Sequence, residues 1–239
     1  DMPQAGRMSL GKAIVNLLNF GKDERLTTVL AVPEFEPGYH VLMATKHGVI
    51  KKTDLMAFSR PRSGGIIALN LLEGDELIAA RITDGTLNVF LGSRMGKAIR
   101  FHESDIRPSG RVATGVRGMR LVEGDKIVGA EVLSHGQTLF ALTENGYGKR
   151  TSIDEYPVQK RGGKGVISIK TTERNGMVIG ILLVSEDDDL MLMTNIGKVI
   201  RMQVNSISVI SRNTQGVKLM GMDTEERVVG AARLAEKEE

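Results

Sequence analysis

The chain has 239 residues, 41% hydrophobic and 26% charged, a composition typical of a globular protein with a sizeable core. It has no cysteine, which excludes disulfides and thiolate zinc sites, and no apolar run near the ~18 residues of a membrane span. No signal peptide opens it, so we expect a cytoplasmic protein. The net charge of +3 is too small to identify an anionic partner, so the positions of the charges matter more.

A repeat runs along the chain and is marked by two series of glycines. The first series is Gly48, Gly96, Gly146 and Gly197, with spacings of 48, 50 and 51 residues. The second series is Gly11, Gly65, Gly115, Gly165 and Gly216, with spacings of 54, 50, 50 and 51 residues. Two independent series with one period establish the repeat.

Taken in chain order, the elements of one repeat form the same succession each time. An opening strand such as Lys126–Ala130 precedes a strongly apolar strand such as Leu139–Leu142 or Leu190–Met193. A turn at the first-series glycine follows, because glycine adopts positive φ at no steric cost. A basic strand, a long loop and a short last strand such as Gly165–Ile169 complete the repeat. We therefore predict about four strands per repeat and few helices.

Repeated four-stranded units predict a closed ring of blades, since closure removes exposed sheet edges. The alternative is an open array of β units. We predict one all-β, propeller-like domain over residues 1–239, with about 50 residues per repeat. Its expected divisions are a partial blade at 1–20, full repeats at 21–72, 73–122, 123–172 and 173–222, and a partial blade at 223–239. The two partial ends could form one composite blade, or the chain could be part of a longer protein.

Cations recur at fixed positions of the repeat. Four residues after each first-series glycine lie Lys52, Arg100, Arg150 and Arg201, with a second cation nearby at Lys51, Lys97, Lys149 and Lys198. Four residues before a second-series glycine lie Arg7, Arg111, Arg161 and Arg212, and in the remaining repeat Arg60 and Arg62 flank Pro61. In a ring, equivalent positions share one radius and height, which predicts a basic belt suited to a phosphate backbone. The alternative is solvated charge on exposed strands.

The sharpest local motif is the loop Gln159-Lys160-Arg161-Gly162-Gly163-Lys164-Gly165, with its cations among glycines. Glycines let backbone N–H groups approach a phosphate closely, and the cations add charge at the same place. The alternative is a flexible turn.

No catalytic, metal or cofactor site is predicted. The segment Gly6–Ala13 nearly matches a P-loop, but Ala13 stands where Ser or Thr would hold Mg²⁺. The histidines lack metal-ligand spacing, and no tyrosine has the acidic metal cluster that DNA cleavage needs.

The chain resembles the C-terminal domain of the DNA gyrase A subunit. Besides the loop, the resemblance rests on Gly11–Leu18, Thr114–Gly118, Asn145–Thr151, Gly165–Lys170 with Thr172–Gly176, and Arg212–Val217. It implies a β-pinwheel, a propeller-like ring whose blades exchange strands. It also implies a non-catalytic domain that wraps duplex DNA around its rim and supports negative supercoiling by an ATP-dependent type IIA topoisomerase.

The loop Gln159–Gly165 is similar to the family's box, Gln-Arg-Arg-Gly-Gly-Lys/Arg-Gly, and departs from it at Lys160. The family's principal box lies near the start of the domain, so we expect it upstream of this chain. The related domain of topoisomerase IV, which has degenerate boxes, and a protein-binding propeller scaffold are alternatives. The absence of Trp counts against the scaffold.

Together the repeated cations and the box-like loop predict a set of DNA-binding residues. They are Lys51, Lys52, Arg60, Arg62, Lys97, Arg100, Arg107, Arg111, Lys149, Arg150, Gln159, Lys160, Arg161, Gly162, Gly163, Lys164, Gly165, Lys198, Arg201 and Arg212. The expected partners are duplex DNA, the rest of the gyrase A subunit, which would in turn contact the B subunit, and no membrane. We expect the isolated domain to be monomeric and nucleoid-associated in the cell.

Overall fold

A computed structural model describes residues 24–62, 64–134 and 136–234. The predicted partial blade at 1–20, with Arg7 and Gly11, lies outside these residues. The described part consists of β-strands, loops and short 3-10 turns and contains no α-helix, which confirms the all-β prediction.

Four hairpins form the centre of the architecture. They pair β1 (His40–Thr45) with β2 (Val49–Asp54), β4 (Asn88–Ser93) with β5 (Lys97–His102), β8 (Thr138–Thr143) with β9 (Tyr147–Ser152), and β12 (Asp189–Thr194) with β13 (Val199–Gln203). Each hairpin turns at a first-series glycine, where φ lies between +77° and +82°. A 3-10 turn directly follows each hairpin, at Leu55–Phe58, Glu103–Asp105, Ile153–Glu155 and Val204–Ser206.

The remaining strands add to these hairpins on both sides. Long strands are β3 (Leu77–Thr83), β7 (Ile127–Leu133), β11 (Val178–Val184) and β15 (Val228–Arg233). Short strands are β6 (Val116–Arg117), β10 (Val166–Ile167) and β14 (Val217–Lys218). The sheet orders are β3-β1-β2-β6, β7-β4-β5-β10, β11-β8-β9-β14 and β15-β12-β13.

Each sheet therefore combines strands from two successive repeats. The hairpin comes from one repeat and the long strand beside it from the next. In the first three sheets the short strand on the other side of the hairpin also comes from the next repeat. The exchange of strands that the resemblance implied is thus present. One sheet does not correspond to one sequence repeat.

The long strands define the inside of the molecule. They pack side by side in the order β3, β7, β11, β15, and we call them the inner strands. A cavity of about 390 Å³ lies between them, lined by residues from all four, including Arg81, Glu131, Leu182 and Arg233. The short strands lie at the opposite edge of their sheets, so they and the loops before them form the outer rim. The closed ring stays a prediction.

The core lies between neighbouring sheets. Leu42 and Ile50 of the first sheet pack with Leu91 and Ile99 of the second, and all four are at most 1% exposed. Each such buried side chain contributes about 1.5–3 kcal/mol relative to an exposed one. Equivalent clusters join the second sheet to the third and the third to the fourth, which fixes successive blades against one another.

Candidate nucleic-acid interface

In the first three hairpins, the cation four residues after the first-series glycine holds the turn of the following repeat. Lys52 Nζ donates to Glu103 O at 3.0 Å and lies 3.3 Å from Glu103 Oε2. Arg100 donates to Ile153 O at 3.0 Å, and Arg150 Nε donates to Ile207 O at 2.8 Å. These side chains link each sheet to the 3-10 turn of the next one.

Lys51 and Lys149 are buried where the following repeat adds its loop to the hairpin of their own repeat. Lys149 is 0% exposed, and its Nζ donates to Ser211 O at 2.7 Å, Arg212 O at 2.6 Å and Thr214 Oγ1 at 3.2 Å. Burial lowers the pKa of Lys149 to about 7 and also lowers the pKa of Lys51. Lys51 is 1% exposed and donates to Ala68 O at 2.8 Å and to Arg111 O.

The repeated cations therefore do not all lie in an exposed belt. Lys51, Lys52, Lys149 and Arg150 are at most 4% exposed, so the expectation of an accessible position is wrong for these four. Arg100 is half-buried and holds the next turn. The carbonyl groups of the following repeat occupy the donors that a phosphate would need.

The arginines four residues before the second-series glycines also have a structural contact. Arg111, Arg161 and Arg212 each donate through Nη1 to a backbone carbonyl of the preceding repeat. The acceptor is the residue two positions after the second-series glycine of that repeat. The acceptors are Ile67 O at 3.1 Å, Arg117 O at 3.1 Å and Ile167 O at 3.0 Å, respectively. We call this contact the arginine staple. The three side chains are half-buried at the rim, where part of each remains open to solvent.

The fourth hairpin departs from this pattern. Arg201 donates from Nε to Asp189 Oδ2 at 2.8 Å, within its own sheet, and its side chain is 59% exposed. Lys198 is exposed and lies 3.5 Å from Glu226 Oε2. Both cations are thus accessible but paired with carboxylates.

The box-like loop Gln159–Gly165 is held by backbone hydrogen bonds on both sides. Gln159 N donates to Arg100 O at 2.8 Å, and Gly162 N donates to Gly118 O at 2.6 Å. At Gly165, φ is +68° and a Cβ would collide with Ala98 O, so no other residue fits there without a shift. The loop is therefore an ordered connection to β10, which answers the flexible-turn alternative.

These bonds bring two further arginines next to the loop. Arg120 N donates to Gly163 O at 2.8 Å, and Arg117 O accepts from Arg161. Arg117, Arg120, Lys160 and Lys164 are all exposed, and with half-buried Arg161 we call them the box cluster. The sequence prediction missed Arg117 and Arg120. A usable signal was present, since Lys170 stands at the position of Arg120, and Lys218 at that of Arg117, in later repeats.

Other predicted residues lie along the same rim. Arg60, Arg62 and Arg107 are exposed in loops, and Lys97 is half-buried. Among described residues, no carboxylate lies within ion-pair distance of Arg60, Arg62, Arg107, Lys160 or Lys164. These side chains keep their charge available.

The described residues form neither a metal-binding cluster nor a membrane-spanning helix. No group of three His, Asp or Glu side chains is placed to hold a metal ion. No helix in the described ranges is long and apolar enough to cross a membrane.

Comparison with known families decides the relationship. The model of the DNA gyrase C-terminal domain, a β-propeller, matches residues 3–33, 39–84, 87–134, 137–185 and 188–235. The chain belongs to the DNA gyrase C-terminal domain family. The matched segment 39–84 contains one hairpin and the inner strand that follows it, as do the next three.

Relatives of this gyrase-family chain confirm the resemblance seen in the sequence. The DNA gyrase A subunit of Salmonella typhimurium is 49% identical over 236 residues, covering 99% of this chain and 27% of that protein. Its counterpart in Escherichia coli is 48% identical over the same length, so the chain spans about a quarter of these relatives.

Solved structures agree with the family assignment. The C-terminal domain of DNA topoisomerase IV matches with a TM-score of 0.87 at 26% identity, covering 95% of this chain and 71% of that one. A DNA gyrase A C-terminal domain matches with a TM-score of 0.84 at 28% identity, covering 94% and 75%.

Proposed function

We propose that this domain binds duplex DNA along its rim and bends it, without catalysing a reaction itself. The observation that carries the proposal is the box cluster, where exposed cations meet a glycine turn that backbone bonds hold in place. Phosphates are the ligand that such a surface suits, because cations and backbone N–H groups both bind them.

Cations continue along the rim on both sides of the box cluster. Arg60, Arg62 and Arg107 lie in loops of the preceding repeats. Lys170 is exposed later in the repeat of the box loop itself, and Lys218 is exposed in the next repeat. A straight duplex would contact only part of such a curved row. Bending 20–30 bp by 40–90° costs roughly 1–6 kcal/mol, and a few charge-assisted contacts at about 1.5–3 kcal/mol each offset that cost.

The buried cations support this surface rather than touch DNA. Lys52, Arg100 and Arg150 position the 3-10 turns, and the arginine staple positions the strands of the rim. The rim keeps its shape because these contacts repeat with the period of the chain.

Binding should be indifferent to DNA sequence. The described residues offer loops and short strands at the rim, and no α-helix that could enter the major groove. Contacts to phosphates position a duplex and carry no base information.

Within a whole enzyme, the domain would belong to the A protein of a gyrase. The relatives at 48–49% identity are DNA gyrase A subunits, which supports this assignment. The bent DNA would then serve negative supercoiling by an ATP-dependent enzyme together with the B subunit, at the bacterial nucleoid in the cytoplasm.

The A subunit of a topoisomerase IV is the second candidate parent. The TM-score of 0.87 with a topoisomerase IV C-terminal domain favours it, while the nearly complete box at Gln159–Gly165 favours gyrase. Negative supercoiling by the full-length enzyme, present for gyrase and absent for topoisomerase IV, distinguishes the two.

The test removes charge from the box cluster without removing a structural contact. Lys160 and Lys164 are exposed, and no carboxylate among the described residues pairs with them, so we expect the Lys160→Ala/Lys164→Ala double variant to fold normally. Fluorescence transfer between the ends of a duplex of about 40 bp reports the bend, and titration against salt reports the number of contacts. The variant should bend DNA less, and its salt slope should fall by about two contacts.

A matched control removes two cations that lie away from the rim. Lys126 and Arg227 are exposed, and each immediately precedes an inner strand. The Arg227 guanidinium donates to the carbonyls of Thr224 and Glu226 in its own loop, so its removal affects a local contact. The Lys126→Ala/Arg227→Ala variant loses the same charge and should bend DNA as the unchanged chain does. Equal losses in the two variants would indicate a nonspecific charge effect, and an unchanged end-to-end distance at saturating unmodified protein would exclude bending.

A further inference from the structure

One position of the rim loop carries an exposed apolar side chain in three successive repeats. The residue after it always donates its backbone N–H to the second strand of the preceding hairpin. The pairs are Ser109 N with Lys52 O, Gln159 N with Arg100 O, and Ile210 N with Arg150 O, at 2.8–2.9 Å. The equivalent apolar residues are therefore Pro108, Val158 and Val209, which we call the tip residues.

The tip residues extend into solvent although the loop around them is fixed. Val158 is 56% exposed, Val209 is 49% exposed, and Pro108 is exposed as well. The residue two positions before each tip is buried, and the carbonyls of two of these residues accept from the repeated arginines. Tyr156 O accepts from Arg100 at 3.3 Å, and Ile207 O accepts from Arg150 at 2.8 Å. These contacts use backbone carbonyls and a buried neighbour, so they do not require an apolar side chain at the tip.

The exposure does not arise from an unfinished sheet. Val158 forms a parallel bridge with Arg100 in the second sheet, and Val209 forms one with Arg150 in the third. Both sheets have all four strands, as does the first sheet, on which the loop of Pro108 lies. No strand is missing beside any tip residue, yet each leaves apolar surface in water, which is unfavourable unless a ligand covers it.

Cations surround the tip residues at a fixed spacing. An arginine of the staple stands three residues after each tip, at Arg111, Arg161 and Arg212, and part of each side chain is open to solvent. Exposed Arg107 precedes Pro108, and exposed Lys160 follows Val158 by two residues. A ligand that suits such a loop presents anionic and apolar groups in alternation. The backbone of a DNA strand does so, because phosphate and deoxyribose alternate along it.

We propose that the tip residues contact deoxyribose groups of a bound duplex while the neighbouring cations contact its phosphates. The inference rests on the proposed function and adds a second class of contact to it. Valine and proline suit this role because both are stiff and lose little conformational freedom on binding. Contacts to sugars are compatible with any base sequence, as are contacts to phosphates.

The two classes of contact differ in their response to salt. A cation that neutralises a phosphate releases counterions, so its contribution to affinity falls as salt rises. An apolar contact with a sugar releases no counterion, and its contribution should remain at high salt. The tip residues should therefore set the level of affinity without changing its slope against salt.

The test replaces two tip residues without changing charge. Val158→Ala/Val209→Ala removes methyl groups only, and Pro108 stays because its replacement would also change the backbone. Covering about half of a valine side chain corresponds to roughly threefold in affinity, so we expect the double variant to bind a duplex of about 40 bp roughly tenfold more weakly at every salt concentration. The slope of log affinity against log salt should equal that of the unchanged chain.

Two controls separate a sugar contact from a general effect of the substitutions. Val29, 61% exposed before β1, and Val229, 59% exposed on β15, lie outside the rim loops, so Val29→Ala/Val229→Ala should bind DNA as the unchanged chain does. Inorganic polyphosphate carries phosphate charge but no sugar. Val158→Ala/Val209→Ala should therefore bind polyphosphate as tightly as the unchanged chain, and its circular dichroism spectrum should be unchanged.

The outcomes distinguish this inference from the function on which it rests. If the unchanged chain shows no salt-dependent binding to DNA, both are overturned. If it binds but the lines for the unchanged chain and Val158→Ala/Val209→Ala coincide, the inference alone is overturned. An equal loss of affinity for polyphosphate, or a smaller salt slope, would show that the valines only position the cations, which also overturns it.

Discussion

Gly96 and Gly197 occupy the same place in two repeats, but only Gly96 lies under a neighbouring strand. Their φ angles are +81° and +82°, so alanine imposes the same backbone strain at both, about 1–2 kcal/mol. Alanine also lowers the conformational entropy of the unfolded chain, which offsets roughly 0.4–1 kcal/mol of that strain. We therefore expect Gly197→Ala to lower the free energy of unfolding by about 1 kcal/mol.

At Gly96 the added Cβ also collides with Ile169 O. Moving that segment aside breaks the bonds from Ser168 N and Ile169 N to Gly96 O, at 2.8 and 3.1 Å, and exposes the buried Ile169 side chain. Two hydrogen bonds at about 1 kcal/mol each and part of one isoleucine burial bring the expected loss to about 3–5 kcal/mol.

Urea unfolding followed by circular dichroism measures both losses. Hydrogen exchange supplies a local readout, because the Ser168 and Ile169 amides should exchange faster in Gly96→Ala and unchanged in Gly197→Ala. Equal destabilisation by the two alanines would show that the carbonyl contact over Gly96 does not hold the exchanged strand.

Two further predictions concern the cations. Arg150→Gln should lower the free energy of unfolding by about 2–4 kcal/mol, because it breaks the hydrogen bond to Ile207 O and removes the buried partner of the ion pair with Glu186. Arg201→Gln removes an exposed side chain that pairs with Asp189, so it should lower the free energy of unfolding by under about 1 kcal/mol. Thermal denaturation compares them, and equal losses would contradict the structural role of Arg150. Burial lowers the pKa of Lys149 from 10.5 to about 7, so between these pH values the unfolded chain binds a proton that the folded chain does not. Its contribution to stability is therefore greatest above pH 10.5 and is lost as pH falls to about 7, with a slope of up to about 1.4 kcal/mol per pH unit. Stability measured against pH should rise more steeply for the unchanged chain than for Lys149→Met, and parallel curves would refute the assignment.

The hairpins were predictable from the glycine period and the apolar runs beside it. The predicted strand Leu139–Leu142 lies in β8, and Leu190–Met193 lies in β12. The reason is local, because a tight turn between two antiparallel strands needs positive φ, which glycine adopts without a steric cost.

The partners of the short strands could not be derived in this way. β6 and β10 contain two residues each, too few for any periodicity, and each pairs with the hairpin of the preceding repeat. Only the resemblance to a known family implied this exchange.

The burial of the repeated lysines was also beyond a local pattern. Lys51 and Lys52 are neighbours on β2, so their side chains leave the strand on opposite faces, and one face would ordinarily be solvated. Both are buried because the next repeat packs on each face of the strand. Its loop at Arg111 covers Lys51, and its turn at Glu103 covers Lys52. A cation that recurs at a fixed position of the repeat can either lie exposed at the rim or hold neighbouring repeats together from a buried position.

The exchange of strands sets the order in which the chain can fold during synthesis. The first hairpin is complete at Asp54, yet its sheet lacks an outer strand until Val116 and Arg117 have left the ribosome. Every later hairpin waits in the same way for its successor, so a nascent chain always carries one unfinished sheet at its growing end. For the same reason, deletion of one internal repeat removes its hairpin together with the two strands that it adds to the sheet before it, and that sheet can then be completed only by the equivalent strands of the repeat that follows.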